Sequence, residues 1–423
     1  MSPVAAGPTG DFTALEIARG RAFHHASRRP WLLARLVALL AAATAALTPW
    51  PAELVGWVAR PVVRLSSQLH LPGAGWLGPV VVGTVALVAG GGALRVPTAV
   101  WSRSVAARFG LVTGRWRAFW RDAAVTTVLG LAVVVTVMAG VYALVEAAPG
   151  IWWVPAGLGV AALVVVGSLV IPVVVEPMFN RFAPMPDGPL RTELLQLAGR
   201  AGVRVGQVLV ADASRRSRAL NAYVSGLGAT RRIVVYDTLL AGAPPEEVVA
   251  VVAHELGHVR HHDVARATAG SAVGAALAPW GVAVVMRWSW LLGRTGVGGL
   301  RDGRSVVVVL GLAELAGIAL EPLAALLSRR TEARADRFAL HLTGQAETFA
   351  RLQRRLAVTN LVELPPPRWE RVLVATHPDA LTRIQVARAY AASTSRRVPG
   401  LAPSTVAARA TPGSPDGAGA PGR

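Results

Sequence analysis

The sequence predicts a mainly α-helical, polytopic membrane bundle of about six spans, with a small cytosolic α/β portion bearing a β-hairpin edge strand. Three observations predict it. The 423 residues are 53% hydrophobic and only 16% charged, whereas soluble domains run near a quarter charged. The hydrophobic residues come in blocks, six of them close to the roughly 20 residues a helix needs to cross ~30 Å of hydrocarbon. Two long polar stretches, 177–263 and 329–423, interrupt or follow these blocks, and 177–263 carries the pattern of a small soluble domain.

Along the chain, residues 1–30 form a polar N-terminal segment with Asp11, Glu16 and several Arg, unlike a cleaved signal peptide. The apolar block that begins at Trp31 reads as a retained first span. Spans one to four, in segment 31–176, are expected near 31–49, 78–98, 122–146 and 151–175. Residues 52–72 are too interrupted by Pro and Arg to predict a seventh. In 177–263, residues 188–202 read as an amphipathic helix ending at Gly202, VGQVLVADAS as a strand, and NAYVSGLGATRRIVVYD as a hairpin turning near 226–229. Pro244 and Pro245 suit the first turn of a helix that runs through EEVVAVVAHELGHVRHH, with Glu246 and Glu247 favourable at its N-terminus. Segment 264–328 holds spans five and six, near 267–292 and 305–327. Residues 329–395 complete the polar portion, and the Pro-, Gly-, Ala- and Ser-rich tail 396–423 is expected to be disordered.

The net charge of +19 comes entirely from Arg, since the chain has no Lys. The Arg residues lie between apolar blocks and not in one dense face, which fits contact with anionic lipid and argues against nucleic acid. Segment 1–30 carries Arg19, Arg21, Arg28 and Arg29, and 99–121 carries Arg103, Arg108, Arg115, Arg117 and Arg121. The first inter-span loop has only Arg60 and Arg64, and 147–150 has none. The positive-inside rule then places both termini and both polar stretches in the cytoplasm, with loop 293–304 (Arg294, Arg301, Arg304) as the weak point.

Without cysteine, disulfides and thiolate metal sites are excluded, so any metal must be held by His, Asp or Glu. His254-Glu255-Leu256-Gly257-His258 supplies such a pattern. Residues four apart share a helix face, so both imidazoles can reach one ion, and Glu255 lies beside them to take the proton of an attacking water. With 9 His and 24 acidic residues, chance yields roughly 0.01 such matches. An open catalytic site needs a third protein ligand. The candidates are Glu314, Glu321, Glu332, Asp336, His261, His262 and His377. Glu332 and Asp336 stand at i and i+4 in SRRTEARADRFAL, so one carboxylate could ligate while the other accepts an imidazole N–H.

VEPMFNRFAPMPDGPLRTELLQLAGRAG, NAYVSGLGATRRIVVYDTLL, VVAHELGHVRHHD, SRRTEARADRFAL and THPDALTRI, in this order, resemble the type I CAAX prenyl endopeptidases and their HtpX-like bacterial relatives. ARFGLVTGRWRAFWRDA is similar to the cytosolic loop after that family's second span. The resemblance covers roughly residues 95 to 390 and implies a zinc-metallopeptidase domain with one Zn2+ per chain. It implies Glu332 as the third ligand beside His254 and His258, with Asp336 buttressing the site. His377 matches a His that stabilises the oxyanion, a role an imidazole donor suits. Arg383 matches an Arg near the same site that would support the oxyanion or Asp336. Asn221, Ala222 and Tyr223 open the hairpin, where an edge strand would hold an extended peptide by strand addition. The family encloses a chamber within its membrane helices and cuts near its cytosolic side.

The expected activity is hydrolysis of peptide bonds in membrane-associated or C-terminal CAAX-like substrates. The partners are that peptide or membrane protein and the surrounding lipid; the oligomeric state is not legible. Two rival readings stand beside it: a zinc-binding scaffold without catalysis, and a transporter with Arg287 and Glu314 in a polar pathway, the two being read as chamber-lining or mutually paired. His261 and His262 read as solvated, or as a hinge with Asp263 into the fifth span. Arg in place of Lys and richness in Ala, Gly and Val suggest a bacterial cell membrane and a high-GC genome.

Overall fold

The computed structural model describes residues 10–70, 73, 75–226, 228 and 231–397. The expected disordered tail lies outside the described residues beyond Arg397. The membrane half begins with α1 (Ala14–Leu47), α2 (Trp50–Gln68), α3 (Leu77–Arg108) and α4 (Trp116–Ala147). Helix α5 (Trp153–Val170) continues through a π-turn at Ile171–Val175 into α6 (Glu176–Phe179). The polar half follows with β1 (Phe182–Pro184), α7 (Pro189–Arg200), β2 (Gln207–Ala211), β3 (Ala222–Ser225), β4 (Arg232–Tyr236), α8 (Asp237–Gly242) and α9 (Pro245–Arg260). The chain re-enters the bundle as α10 (Asp263–Val285), α11 (Ser289–Thr295) and α12 (Val306–Thr343), and ends with α13 (Ala346–Thr359), α14 (Arg368–Leu373) and α15 (Ala380–Arg397).

Six helical stretches among the described residues are long and apolar enough to cross a bilayer: α1, α3, α4, α5 through α6, α10 and α12. The mainly α-helical bundle with a small α/β portion is therefore the observed architecture. Span five ends sooner than expected, at Val285, and Trp288 and Trp290 belong to the vicinity of α11. The interrupted segment at 52–72 is helical for most of its length, because Pro51 and Pro61 are both tolerated: one sits in the first turn and the other is carried inside α2.

Among the described residues the two larger apolar cores are separate. One joins Ala52, Val80, Tyr142, Trp152, Leu291 and Val306 from α2 to α5, α11 and the start of α12. Trp152 is only 4% exposed there. The other core packs α7, α9, α13 and α15 against β2 and β4, and gathers Phe12 from the N-terminus. Between them little is fully buried: no residue in the most apolar window of α5 or of α10 is buried, although the two helices pack on each other at Gly157 and Ala276. The two mid-span carboxylates of α12 are paired with Arg from other helices, Glu314 with Arg95 at 2.8 Å and Glu321 with Arg35. Of the two readings of Glu314 and Arg287, chamber-lining or mutually paired, this corrects the pairing, since membrane charges take the partner that their own helix face meets.

Helix α1 runs through the boundary drawn at residue 30. Its first turns are charged, so apolar periodicity does not reveal them, and tertiary contacts hold them. Thr13 and Glu16 form a capping box, Arg354 binds Glu16 at 2.8 Å, and Gly20 lies so close to the backbone that a Cβ would meet Val362 O at 2.5 Å. Only glycine allows that approach.

The sheet has the order β1-β2-β4-β3, with β2 and β4 parallel and the other pairs antiparallel. The expected hairpin is β3–β4, with Ala222 opposite Val235, and β3 is an edge strand. The short β1 is not legible in the sequence; three residues that end on a proline carry no alternation.

Candidate metal centre

Helix α9 starts at Pro245, with Glu246 and Glu247 in its first turn. Glu247 is buried and held by Arg355 at 2.6 Å, and the run Val248–Ala253 is buried in the core. These anchors fix the rotation of the helix, and the next turn presents His254, Glu255 and His258 to one side. Their candidate ligand atoms lie within 4.8 Å of one another.

Helix α12 crosses against this turn, and Gly257 sets how closely. A Cβ there would fall 3.1 Å from Phe338 Cδ1 and 3.2 Å from Ala335 Cα. That approach brings Glu332 and Asp336, one turn apart on α12, onto the imidazoles. Gly257→Ala should therefore wedge α9 from α12, costing about 1–3 kcal/mol by overpacking and weakening metal binding. Thermal unfolding and chelator competition on the purified variant check this; unchanged values in both would refute it.

The three expected ligands converge. His254 Nε2 is 3.2 Å from His258 Nε2, 3.2 Å separates His254 Nε2 from Glu332 Oε2, and 3.3 Å separates His258 Nε2 from Glu332 Oε1. Ligand atoms bound at ~2.0–2.1 Å to a tetrahedral ion stand about 3.3–3.4 Å apart, so these residues fit a small divalent cation with its fourth corner open. Glu332 Oε2 is buried without a hydrogen-bond partner. An orphaned buried carboxylate oxygen is costly, and a cation between it and the two imidazoles would remove that cost.

Asp336 Oδ1 is 2.9 Å from His254 Nδ1, as expected of a buttress. Arg383 grips both oxygens of Asp336, with Nε at 2.9 Å, and its Nη2 is 3.5 Å from His254 Nδ1. Of the two roles expected for Arg383, the geometry displays the one toward Asp336. His377 Nε2 lies 3.4 Å from Glu332 Oε2, with its side chain 60% exposed at the open side. Its loop is tied to α12 by Arg329, which donates to Ala375 O at 2.6 Å and to Val372 O at 3.1 Å.

Burial pushes the Glu255 carboxyl above the usual carboxylate range, against the pull of the two imidazoles. Burial also works against a charged His254, but the adjacent carboxylates of Asp336 and Glu332 outweigh it and raise its pKa to about 9 in the metal-free chain.

The edge-strand residues are placed by different contacts. Asn221 is exposed and its carbonyl accepts from Tyr236 N at 3.0 Å. Ala222 points into the core, 1% exposed, so only its backbone faces the free edge. The Tyr223 hydroxyl donates to Glu176 at 3.3 Å, and burial together with that carboxylate raises its pKa.

His261 is half-buried: its Nδ1 is 2.8 Å from Gly257 O and its ring meets Phe338 edge-on at 5.5 Å. His262, with φ 55°, makes the turn into α10. Asp263, which the sequence suggests as part of a hinge, is buried and lies 3.0 Å from His258 Nδ1. The sequence signal for it is its place five residues after His258, but helical spacing does not point to that offset.

Residues 184–391 match the family described as Peptidase family M48, and residues 32–181 match CAAX prenyl protease N-terminal, five membrane helices. That second stretch contains α2 to α6 and the C-terminal part of α1 from residue 32. A Bacillus subtilis protein named "Uncharacterized metalloprotease YhfN" is 29% identical over 236 residues, 55% of each chain. CAAX prenyl protease 1 homolog of Arabidopsis thaliana is 32% identical over 219 residues, 51% of this chain and 50% of that one. CAAX prenyl protease 1 of Saccharomyces cerevisiae is 40% identical over 109 residues, 26% of this chain and 24% of that one. The chain spans about half the length, or less, of these curated relatives. The crystal structure of S. mikatae Ste24p superposes with a TM-score of 0.75 over 89% of both chains at 20% identity, a likeness of fold.

Proposed function

We propose that the chain, which belongs to peptidase family M48 and carries the CAAX prenyl protease N-terminal region of five membrane helices, is a zinc-dependent endopeptidase. Its substrates are membrane-associated proteins or C-terminal CAAX-like peptides. The observation that carries the reading is the convergence of three side chains: His254 Nε2 and His258 Nε2 stand 3.2 Å apart, and each meets one oxygen of Glu332, at 3.2 and 3.3 Å. The names of the curated relatives carry the CAAX class. The Arg distribution supports a peptidase portion on the cytoplasmic side of a bacterial cell membrane.

His254, His258 and Glu332 would hold one zinc per chain, which when bound polarises a carbonyl oxygen and eases deprotonation of water. Glu255, whose proton affinity is raised by burial, takes the proton of the attacking water and passes it to the leaving amine. His377, at the open side beside Glu332, donates to the oxyanion. Arg383 holds Asp336, and Asp336 holds His254 with its proton on Nδ1, leaving Nε2 free to ligate. A peptide added to β3 along Asn221, Ala222 and Tyr223 would lie extended, its backbone amides paired with the edge.

The test uses the chain purified in detergent and assayed for zinc and for cleavage of a farnesylated CAAX peptide. Membranes from cells with the wild type and with Glu255→Gln are compared by proteomics for uncut proteins. One zinc per chain, with either the peptide cleaved or uncut proteins accumulating, is expected. A chain that holds no zinc, cleaves no peptide and changes no membrane protein overturns the reading.

A further inference from the structure

His258 offers two nitrogens, and the structure accounts for both. Nε2 faces His254 and Glu332, while Nδ1 is 3.0 Å from Asp263 Oδ2. The other oxygen of Asp263 is taken by the Arg334 guanidinium. Asp263 is 8% exposed, so it has no water shell to compete with these partners. The left-handed His262 is what folds Asp263 back onto His258; a helix running straight through would carry residue 263 round to another face.

The arrangement repeats that on the other imidazole, where Asp336 meets His254 Nδ1 and is itself gripped by Arg383. Each imidazole thus has its own carboxylate, and each carboxylate its own arginine. An imidazole can present its Nε2 lone pair to a cation only when the proton sits on Nδ1, and a buried carboxylate facing Nδ1 enforces that tautomer and the ring orientation.

We infer that Asp263, seated by Arg334, is a positioning residue that fixes His258 for metal binding. The inference rests on the reading of His258 as a ligand. It has a structural corollary: Asp263 is the first residue of the membrane helix α10, and Arg334 stands on α12 two residues beyond Glu332. The second imidazole is therefore referenced to the membrane bundle through α10, and to the helix of the third ligand through Arg334.

The experiment measures zinc affinity of the detergent-purified full chain by chelator competition, and the visible spectrum of the cobalt(II)-loaded chain. Asp263→Asn should raise the zinc Kd about 10–100-fold and alter the cobalt spectrum at saturating metal, a signature that mere loosening of the fold would not give. Arg334→Gln should move Kd in the same direction by a smaller factor. Arg266→Ala, which removes an exposed charge 3.9 Å from the same carboxylate, should leave Kd within about twofold. An Asp263→Asn chain with wild-type Kd and spectrum overturns the inference. If that variant does not fold, Arg334→Gln decides, and an unchanged Kd overturns it. A wild type that binds no zinc instead overturns the metal-centre reading itself.

Discussion

Replacing Glu255 by Gln should leave zinc content at the wild-type level and slow peptide hydrolysis by about 10²- to 10⁴-fold, the usual worth of a positioned acid–base group. The amide keeps the size and packing of the carboxylate but cannot accept the proton of the attacking water. Glu255 is not one of the three converging side chains, His254, His258 and Glu332. Metal retention and loss of hydrolysis should therefore separate cleanly. Metal content by elemental analysis and initial rates on one substrate decide it. A variant that keeps a substantial rate would show that another group takes the proton.

Glu332→Ala should have the opposite signature, losing metal and hydrolysis together. Removing a partner behind a ligand costs roughly 10–100-fold in affinity, and removing the ligand itself should cost more. In the metal-free chain His254 carries a raised pKa of about 9, because the adjacent carboxylates of Asp336 and Glu332 outweigh the opposing effect of burial. Its Nε2 must be free of a proton before it can ligate, so a cation competes with that proton at every pH below about 9. Zinc affinity of the wild type should thus rise with pH, about tenfold per unit for one displaced proton, and level off as pH passes His254's own value. In Glu332→Ala one of the two carboxylates is gone, so the residual binding should level off at lower pH. Titration with a competing chelator from pH 6 to about 9.5 checks both statements, and a flat profile would show that no proton is displaced from His254.

Much of the fold and of the metal centre is legible in the residues themselves, and the reason is periodicity. Six apolar blocks announce six helices, and the spacing of His254 and His258 places two imidazoles on one face of the α9 helix. Glu332 and Asp336 are likewise one turn apart, which is why they can be paired as ligand and buttress. The features that are not legible depend on departures from periodicity or on distant partners. Asp263 reaches His258 only because His262 adopts φ 55°. The first turns of α1 are held by Arg354 and by the backbone at Val362, more than 300 residues away in sequence. The partner of Glu314 is Arg95 of α3, and nothing local distinguishes that arginine from Arg287.

Helix α12 is 38 residues long, about 57 Å at the usual rise, against ~30 Å of hydrocarbon. Its first turn is rooted in the distant apolar core through Val306 to Val308, and its later turns carry Glu332. The two imidazoles, by contrast, ride on α9, which is anchored to the sheet. A bilayer whose acyl chains are too long or too short for the bundle would be met by tilting. Any tilt of α12 would load the contacts that tie it to the histidines, at Gly257 and between Arg334 and Asp263. Vesicles of graded acyl-chain length should therefore shift zinc affinity, and an affinity independent of chain length would show that α9 and α12 move as one.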